Sequence, residues 1–318
     1  MLVASDKNGN LVNSLEQESL VGEFFCPFCE SPVRVKKGVI MRPHFAHVSL
    51  RTCEGYTENE SDEHLNLKAN LYRWGEGQHE LKIEAFLPSI QQIADLLVEE
   101  KLALEVQCSS LSVKRLKERT SQYHKAGYQV LWLLGKKLWL KTSLTALQKH
   151  FLYFSQNMGF HLWELDQEKE VLRLKYLIHE DLHGLAQYKS KEFPFDKGDL
   201  LEVLRSPYQA QEVTSFLAKE DPDICHYIRQ QLYYQQPKWM ALQAVCYQEG
   251  KNLLAMTKDE FYPQVRPIKA QDFCQISQDL ESYYENFQAY YQKEPRKNGQ
   301  ILYPPAFYRR ILSENMIK

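Results

Sequence analysis

Two short apolar runs, residues 93–98 and 102–106, are separated only by Glu99, Glu100 and Lys101, and each carries one acidic residue. Runs of this length with so few polar residues between them read as strands joined by a tight turn. The segment is a β-hairpin. A turn centred on Glu100 sets Asp95 across the ladder from Glu105, where side chains on one face lie about 5 Å apart. Side chains alternate along a strand, so Glu105 and Gln107 share a face while Leu104 and Val106 point into a core. Two adjacent carboxylates repel unless a cation lies between them, and a hard divalent ion takes oxygen ligands. A Mg2+ or Mn2+ site at Asp95 and Glu105 is therefore expected.

Charge is distributed unevenly around the hairpin. Residues 54–105 carry 12 acidic and 4 basic side chains, whereas residues 106–150 carry 9 basic and 1 acidic, although the whole chain of 318 residues has a formal net charge of only −2. An acidic segment suits a metal site and a basic one suits a phosphate backbone. Residues 112–125 read as a helix that ends at Gly127, with Lys114, Arg115, Lys117 and Arg119 along it. Arg115, Arg119 and Tyr123 recur every four residues and so project from one side. These five are candidates for contact with DNA. An apolar run at 128–134 follows as a further strand, and upstream Ser61 is placed to cap a helix that opens with Asp62, Glu63 and His64.

An acidic residue on a first helix, a hairpin carrying Asp95, then Glu105-Val-Gln107, a basic helix and another apolar strand resembles the PD-(D/E)XK nuclease core. Together with Cys26-Pro-Phe-Cys29, Pro43-His-Phe-Ala-His47 and Arg119-x-x-x-Tyr123, the pattern closely resembles the bacterial competence protein family CoiA. The resemblance implies a mixed central sheet flanked by helices, as in restriction endonucleases. It also implies a cytoplasmic factor that promotes recombination of incoming single-stranded DNA, with single-stranded or branched DNA, the RecA recombinase and its loader as partners. By that resemblance Asp95, Glu105 and the backbone carbonyl of Val106 hold the metal, Glu63 holds a metal-bound water or the ion itself, and Gln107 stands where lysine is usual. Glutamine supplies hydrogen bonds but no charge. The implied activity is metal-dependent DNA cleavage, or DNA binding without cleavage.

The amino-terminal cysteines suggest a second metal. Cys26 and Cys29, then His44 and His47 after a hairpin-length gap, form a ligand set for structural Zn2+, with Cys53 able to replace either histidine. A β-module this short holds little core, and metal would supply stability. The expected organisation is a zinc-ribbon-like module over 1–58, the nuclease-like domain over 59–155 and a mainly α-helical domain over 156–318. Fifteen of the 19 tyrosines lie after residue 150, where they read as helical core and partner surface.

Other classes are set aside. No apolar run approaches the roughly 20 residues that cross a bilayer, and there is no secretory layout at the start. Seven cysteines, an odd number with five of them scattered singly, fit reduced thiols in the cytoplasm. His179-Glu-Asp-Leu-His183 matches the zinc-protease pattern, but that pattern needs a helix and the residues before it read as a strand.

Overall fold

The computed structural model describes residues 1–38, 42–49, 53, 60–270, 272–295, 297 and 299–316. The amino-terminal part forms a five-stranded antiparallel sheet from β1 (Val3–Asp6), β2 (Leu11–Asn13), β3 (Phe24–Phe25), β4 (Pro32–Lys36) and β5 (His44–His47) in the order β2-β1-β3-β4-β5. Its core is small, built around Met1, Ala4, Phe24, Val33 and Phe45.

The main sheet follows α1 (Asp62–Gly75). It begins with the meander β6 (Leu81–Leu87), β7 (Gln92–Val98) and β8 (Leu102–Gln107), then passes through α2 (Val113–Lys125) to β9 (Gln129–Leu134). The expected hairpin is present, with Leu96 opposite Leu104 and Val98 opposite Leu102. Its turn is closed by Lys101 N–H donating to Val98 O at 3.1 Å, with Glu99 and Glu100 both at positive φ. That mirror-image turn matches the twist of the two strands. The helical crossover through α2 makes β9 parallel to β8, with Glu105 beside Trp132.

The sheet does not stop near residue 155. After α3 (Ala146–Lys149) and β10 (Tyr153–Ser155), β11 (Gly159–Asp166) adds parallel to β9, and β12 (Val171–Glu180) and β13 (Ala186–Pro194) continue antiparallel. The order is β13-β12-β11-β9-β8-β7-β6. A mainly helical region thus begins only at α4 (Leu200–Arg205), because β11 is buried along its whole length and belongs inside the sheet. Completing the chain are β14 (Phe216–Leu217), α5 (Ile224–Tyr233), α6 (Pro237–Gln248), β15 (Arg266–Pro267), α7 (Glu281–Lys293), β16 (Ile301–Leu302) and α8 (Pro305–Met316).

Strand alternation divides the core into two layers. Leu104, Val106 and Leu133 pack with Leu65, Leu67 and Leu71 of α1 and with Leu200 and Leu204 of α4. Ala103, Trp132 and Leu134 pack on the other side with Leu116 and Tyr123 of α2 and Tyr283, Phe287 and Tyr291 of α7. Burying each large apolar side chain contributes about 1.5–3 kcal/mol. Tyr283 and Tyr291 of α7 and Tyr308 of α8 are therefore core, buried around Phe287. Among the described residues no helix is long and apolar enough to cross a membrane.

Candidate functional site

Ser61 caps α1, its hydroxyl accepting from His64 N–H at 3.2 Å. Glu60 precedes the cap, and His64 and Lys68 follow at four-residue spacing, the latter two along one side of the helix. All three meet Asp95. His64 Nε2 lies 3.1 Å from Asp95 Oδ2 and His64 Nδ1 3.0 Å from Glu60 Oε1. The Lys68 ammonium pairs with Glu60, lies 2.5 Å from Glu84 Oε1 and is 3.6 Å from Asp95 Oδ1. Val106 N–H donates to Asp95 Oδ2 at 2.8 Å. Glu84 Oε2 accepts from Leu2 and Val3 N–H at 2.7 and 2.9 Å, and the Met1 ammonium lies 2.6 Å from Glu60 Oε2.

Charge in this cluster is balanced by its own members. Burial alone would raise the Asp95 carboxyl, but His64 and Lys68 outweigh it and hold it below the ordinary value. Burial pulls His64 down, yet Asp95 prevails and lifts it to about 9, so it is an imidazolium at neutral pH. Lys68 is likewise raised, its burial being overcome by Glu60, Glu84 and Asp95.

Glu105 lies elsewhere. Its carboxylate receives Arg119 Nη2 at 2.8 Å and the Tyr123 hydroxyl, both from α2, and the Arg119 guanidinium rests over the Trp132 ring. Burial pushes Glu105 up to about 7 against the opposing pull of Arg119. Asp95 thus engages α1 and Glu105 engages α2, while the like charge of Asp95 adds to the rise at Glu105. Ala94 packs in the α2-side layer and Leu96 in the α1-side layer, so alternation breaks at Asp95 and its carboxylate turns to α1. Among the described residues, no group of three potential ligands contains both acids.

The other expected residues are dispersed in a similar way. Glu63 Oε1 accepts Lys136 N–H at 2.8 Å and so holds the 3-10 turn after β9. Gln107 Nε2 donates to Ser109 O at 2.7 Å, and its carbonyl accepts from Gly135. Lys114 and Arg115 are exposed on α2, Lys117 pairs with Asp272, and Arg119 and Tyr123 turn inward to Glu105. Glu60, Lys68 and Glu84 were not singled out from sequence. The four-residue spacing of Glu60, His64 and Lys68 was the available signal, whereas Glu84 carried none.

In the amino-terminal sheet, Cys26, Cys29, His47 and Cys53 offer ligand atoms within 4.8 Å of one another. Three thiols and an imidazole fit a closed tetrahedral zinc site. His44 is not among them: it is buried with Nδ1 3.0 Å from Arg42 O. Residues three apart on a strand point to opposite faces, so β5 directs His47 to the cysteines and His44 away. Cys53 takes the fourth place. The histidines of the protease-like pattern also diverge, His179 lying buried on strand β12 and His183 lying 3.0 Å from Asp221 in a loop.

Comparisons with known proteins agree with this architecture. A family model described as "Competence protein CoiA, nuclease-like domain" matches residues 60–206, and "Competence protein CoiA, N-terminal domain" matches residues 8–56. The competence protein CoiA of Bacillus subtilis (strain 168) is 33% identical over 163 residues, which cover 49% of this chain and 44% of that protein. The match thus spans less than half of that relative's length. No solved structure matches. On the two domain matches, in consecutive order along the same chain, the protein belongs to the competence protein CoiA family.

Proposed function

We propose that this chain acts on DNA in competence through a divalent-metal-dependent nuclease centre of the PD-(D/E)XK type, set between α1 and β7. The supporting observation is the convergence of Glu60, His64 and Asp95, with donor atoms within 4.8 Å of one another, in a domain similar to the nuclease-like domain of CoiA. An ion bound there would displace the proton of His64, and two carboxylates with the resulting neutral imidazole suit manganese better than magnesium, which prefers oxygen ligands. A bound ion would lower the pKa of a water and stabilise charge on the scissile phosphate. The chain supplies the remainder. Val106 N–H and Lys68 fix the two Asp95 oxygens, and Lys114 and Arg115 on α2 are exposed for phosphates. Glu105, bound to Arg119 and Tyr123, braces β8 against α2. Cys26, Cys29, His47 and Cys53 would hold structural Zn2+. In the cell the substrate would be incoming single-stranded or branched DNA on its way to RecA and its loader, in the cytoplasm.

A second reading, a DNA-binding accessory factor that does not cleave, is favoured by one observation. Glu60, Glu84 and Asp95 face the Met1 ammonium, His64 and Lys68, so the cluster is neutral without a metal. Labelled single-stranded, duplex and branched DNA incubated with the protein in Mn2+ or Mg2+ separates the two. Cleavage that disappears in Asp95→Ala is the expected result. Binding of DNA with no cutting in either ion would replace the nuclease reading by the accessory one.

A further inference from the structure

We propose that the amino-terminal sheet is a working part of the nuclease-like centre: the backbone amides of Leu2 and Val3 position Glu84, and Glu84 positions Lys68 against Asp95. The metal site at Cys26, Cys29, His47 and Cys53 clamps that sheet in place. The inference rests on the reading of Asp95, His64 and Glu60 as that centre.

Glu84 is the bridge. Its side chain is 1% exposed, and it takes donors from two domains: Leu2 and Val3 on Oε2, Lys68 on Oε1 at 2.5 Å. A buried carboxylate depends on such donors because water does not reach it. Its backbone sits at φ 50, in the left-handed region that non-glycine residues avoid. Strain of that kind persists only where surrounding contacts impose it. Here the imposed geometry aims one carboxylate at both the amino-terminal strand and α1.

The clamp reaches the same strand by a second route. Phe28, inside the Cys26–Cys29 knuckle, packs edge-on against Phe86 with ring centroids 5.1 Å apart, and Phe86 lies two residues beyond Glu84 on β6. Arg42 Nε donates to Asn66 Oδ1 of α1 at 2.6 Å, and the Tyr72 hydroxyl donates to Glu16 at 2.5 Å. The knuckle, β1, β6 and α1 therefore form one chain of packed and hydrogen-bonded contacts that ends at Asp95.

The test uses the full chain, as the unaltered protein, Cys29→Ser and Glu84→Gln. Zinc content, amide hydrogen exchange across β6 and α1, and Mn2+ affinity by calorimetry are measured on each. Cys29→Ser is expected to lose zinc, to exchange at least tenfold faster in β6 and the first turns of α1, and to bind Mn2+ at least tenfold more weakly. Glu84→Gln is expected to keep its zinc and reproduce the other two changes. Should Cys29→Ser fail to fold, removing zinc from the unaltered protein with a chelator and restoring it gives the same comparison. Zinc loss that leaves exchange in β6 and α1 unchanged, an unaltered protein without zinc, or a Glu84→Gln variant with unchanged exchange and Mn2+ affinity would overturn the proposal. Failure of the nuclease reading shows separately, as an unaltered protein that cuts no DNA, and leaves the exchange comparison intact.

Discussion

Lys68 is a cation enclosed in the core. Its ammonium is fully buried and faces Glu60, Glu84 and Asp95. Removing one partner of a buried ionic group leaves the others uncompensated, at a cost of about 3–5 kcal/mol. Lys68→Met, which preserves the stem, is expected to lower unfolding free energy in denaturant by that amount, and a loss under about 1 kcal/mol would show the cluster to be solvated. The sequence displayed the acids Asp95 and Glu105 plainly, because charges inside apolar runs are conspicuous. It did not display which layer each would face. That depended on a break in alternation at one residue, sustained by Val106 N–H on Asp95 and by Arg119 on Glu105.

At the scale of elements, β5 and the end of β9 each give a sharp expectation. The period of two along β5 separates His47 from His44. His47→Ala and Cys53→Ser are expected to abolish zinc binding measured by metal analysis, whereas His44→Ala is expected to retain it. That period is legible in Pro43-His-Phe-Ala-His47 itself once the segment is a strand. Gly135 follows β9 where Glu63 and Cys108 close in. A Cβ there would lie 2.7 Å from Cys108 Sγ, 3.0 Å from Glu63 Oε1 and 3.1 Å from the backbone of Cys108. Overpacking of this sort costs about 1–3 kcal/mol, so Gly135→Ala is expected to lower the denaturation midpoint and free Lys136 N–H from Glu63. Hairpin β7–β8, helix α2 and strand β9 were readable as elements because each has a clean period and a clear end. The extension of the sheet through β11 and β12 was less readable, since strands buried on both faces lack alternation.

Across the whole molecule, two imidazoles are buried without charge. Burial holds His161 and His179 down at about 4, with their Nδ1 atoms 3.0 and 2.7 Å from the carbonyls of Gly159 and Leu177. The unfolded chain binds protons near pH 6.5 while the folded chain does not, so stability falls as pH drops from about 6.5 to about 4. The loss is on the order of 3 kcal/mol for each imidazole. Glu105 acts with the opposite sign: its raised value makes a contribution present below about 4.5 and lost as pH rises through about 7. Denaturation across pH 4–7 is expected to show a net acid loss that His161→Phe and His179→Phe together flatten, and a loss unchanged in that pair would refute the assignment. The sequence by itself determined the hairpin, the basic helix after it and the cysteine knuckle, because these follow from local period and spacing. Tertiary structure alone decided that Glu60, Lys68 and Glu84 gather around Asp95, that Cys53 joins His47, and that the amino-terminal strand bonds to the central sheet. Partners far apart along the chain become neighbours only when the two core layers close on the sheet, and buried charge then accepts only those neighbours that complete its hydrogen bonds.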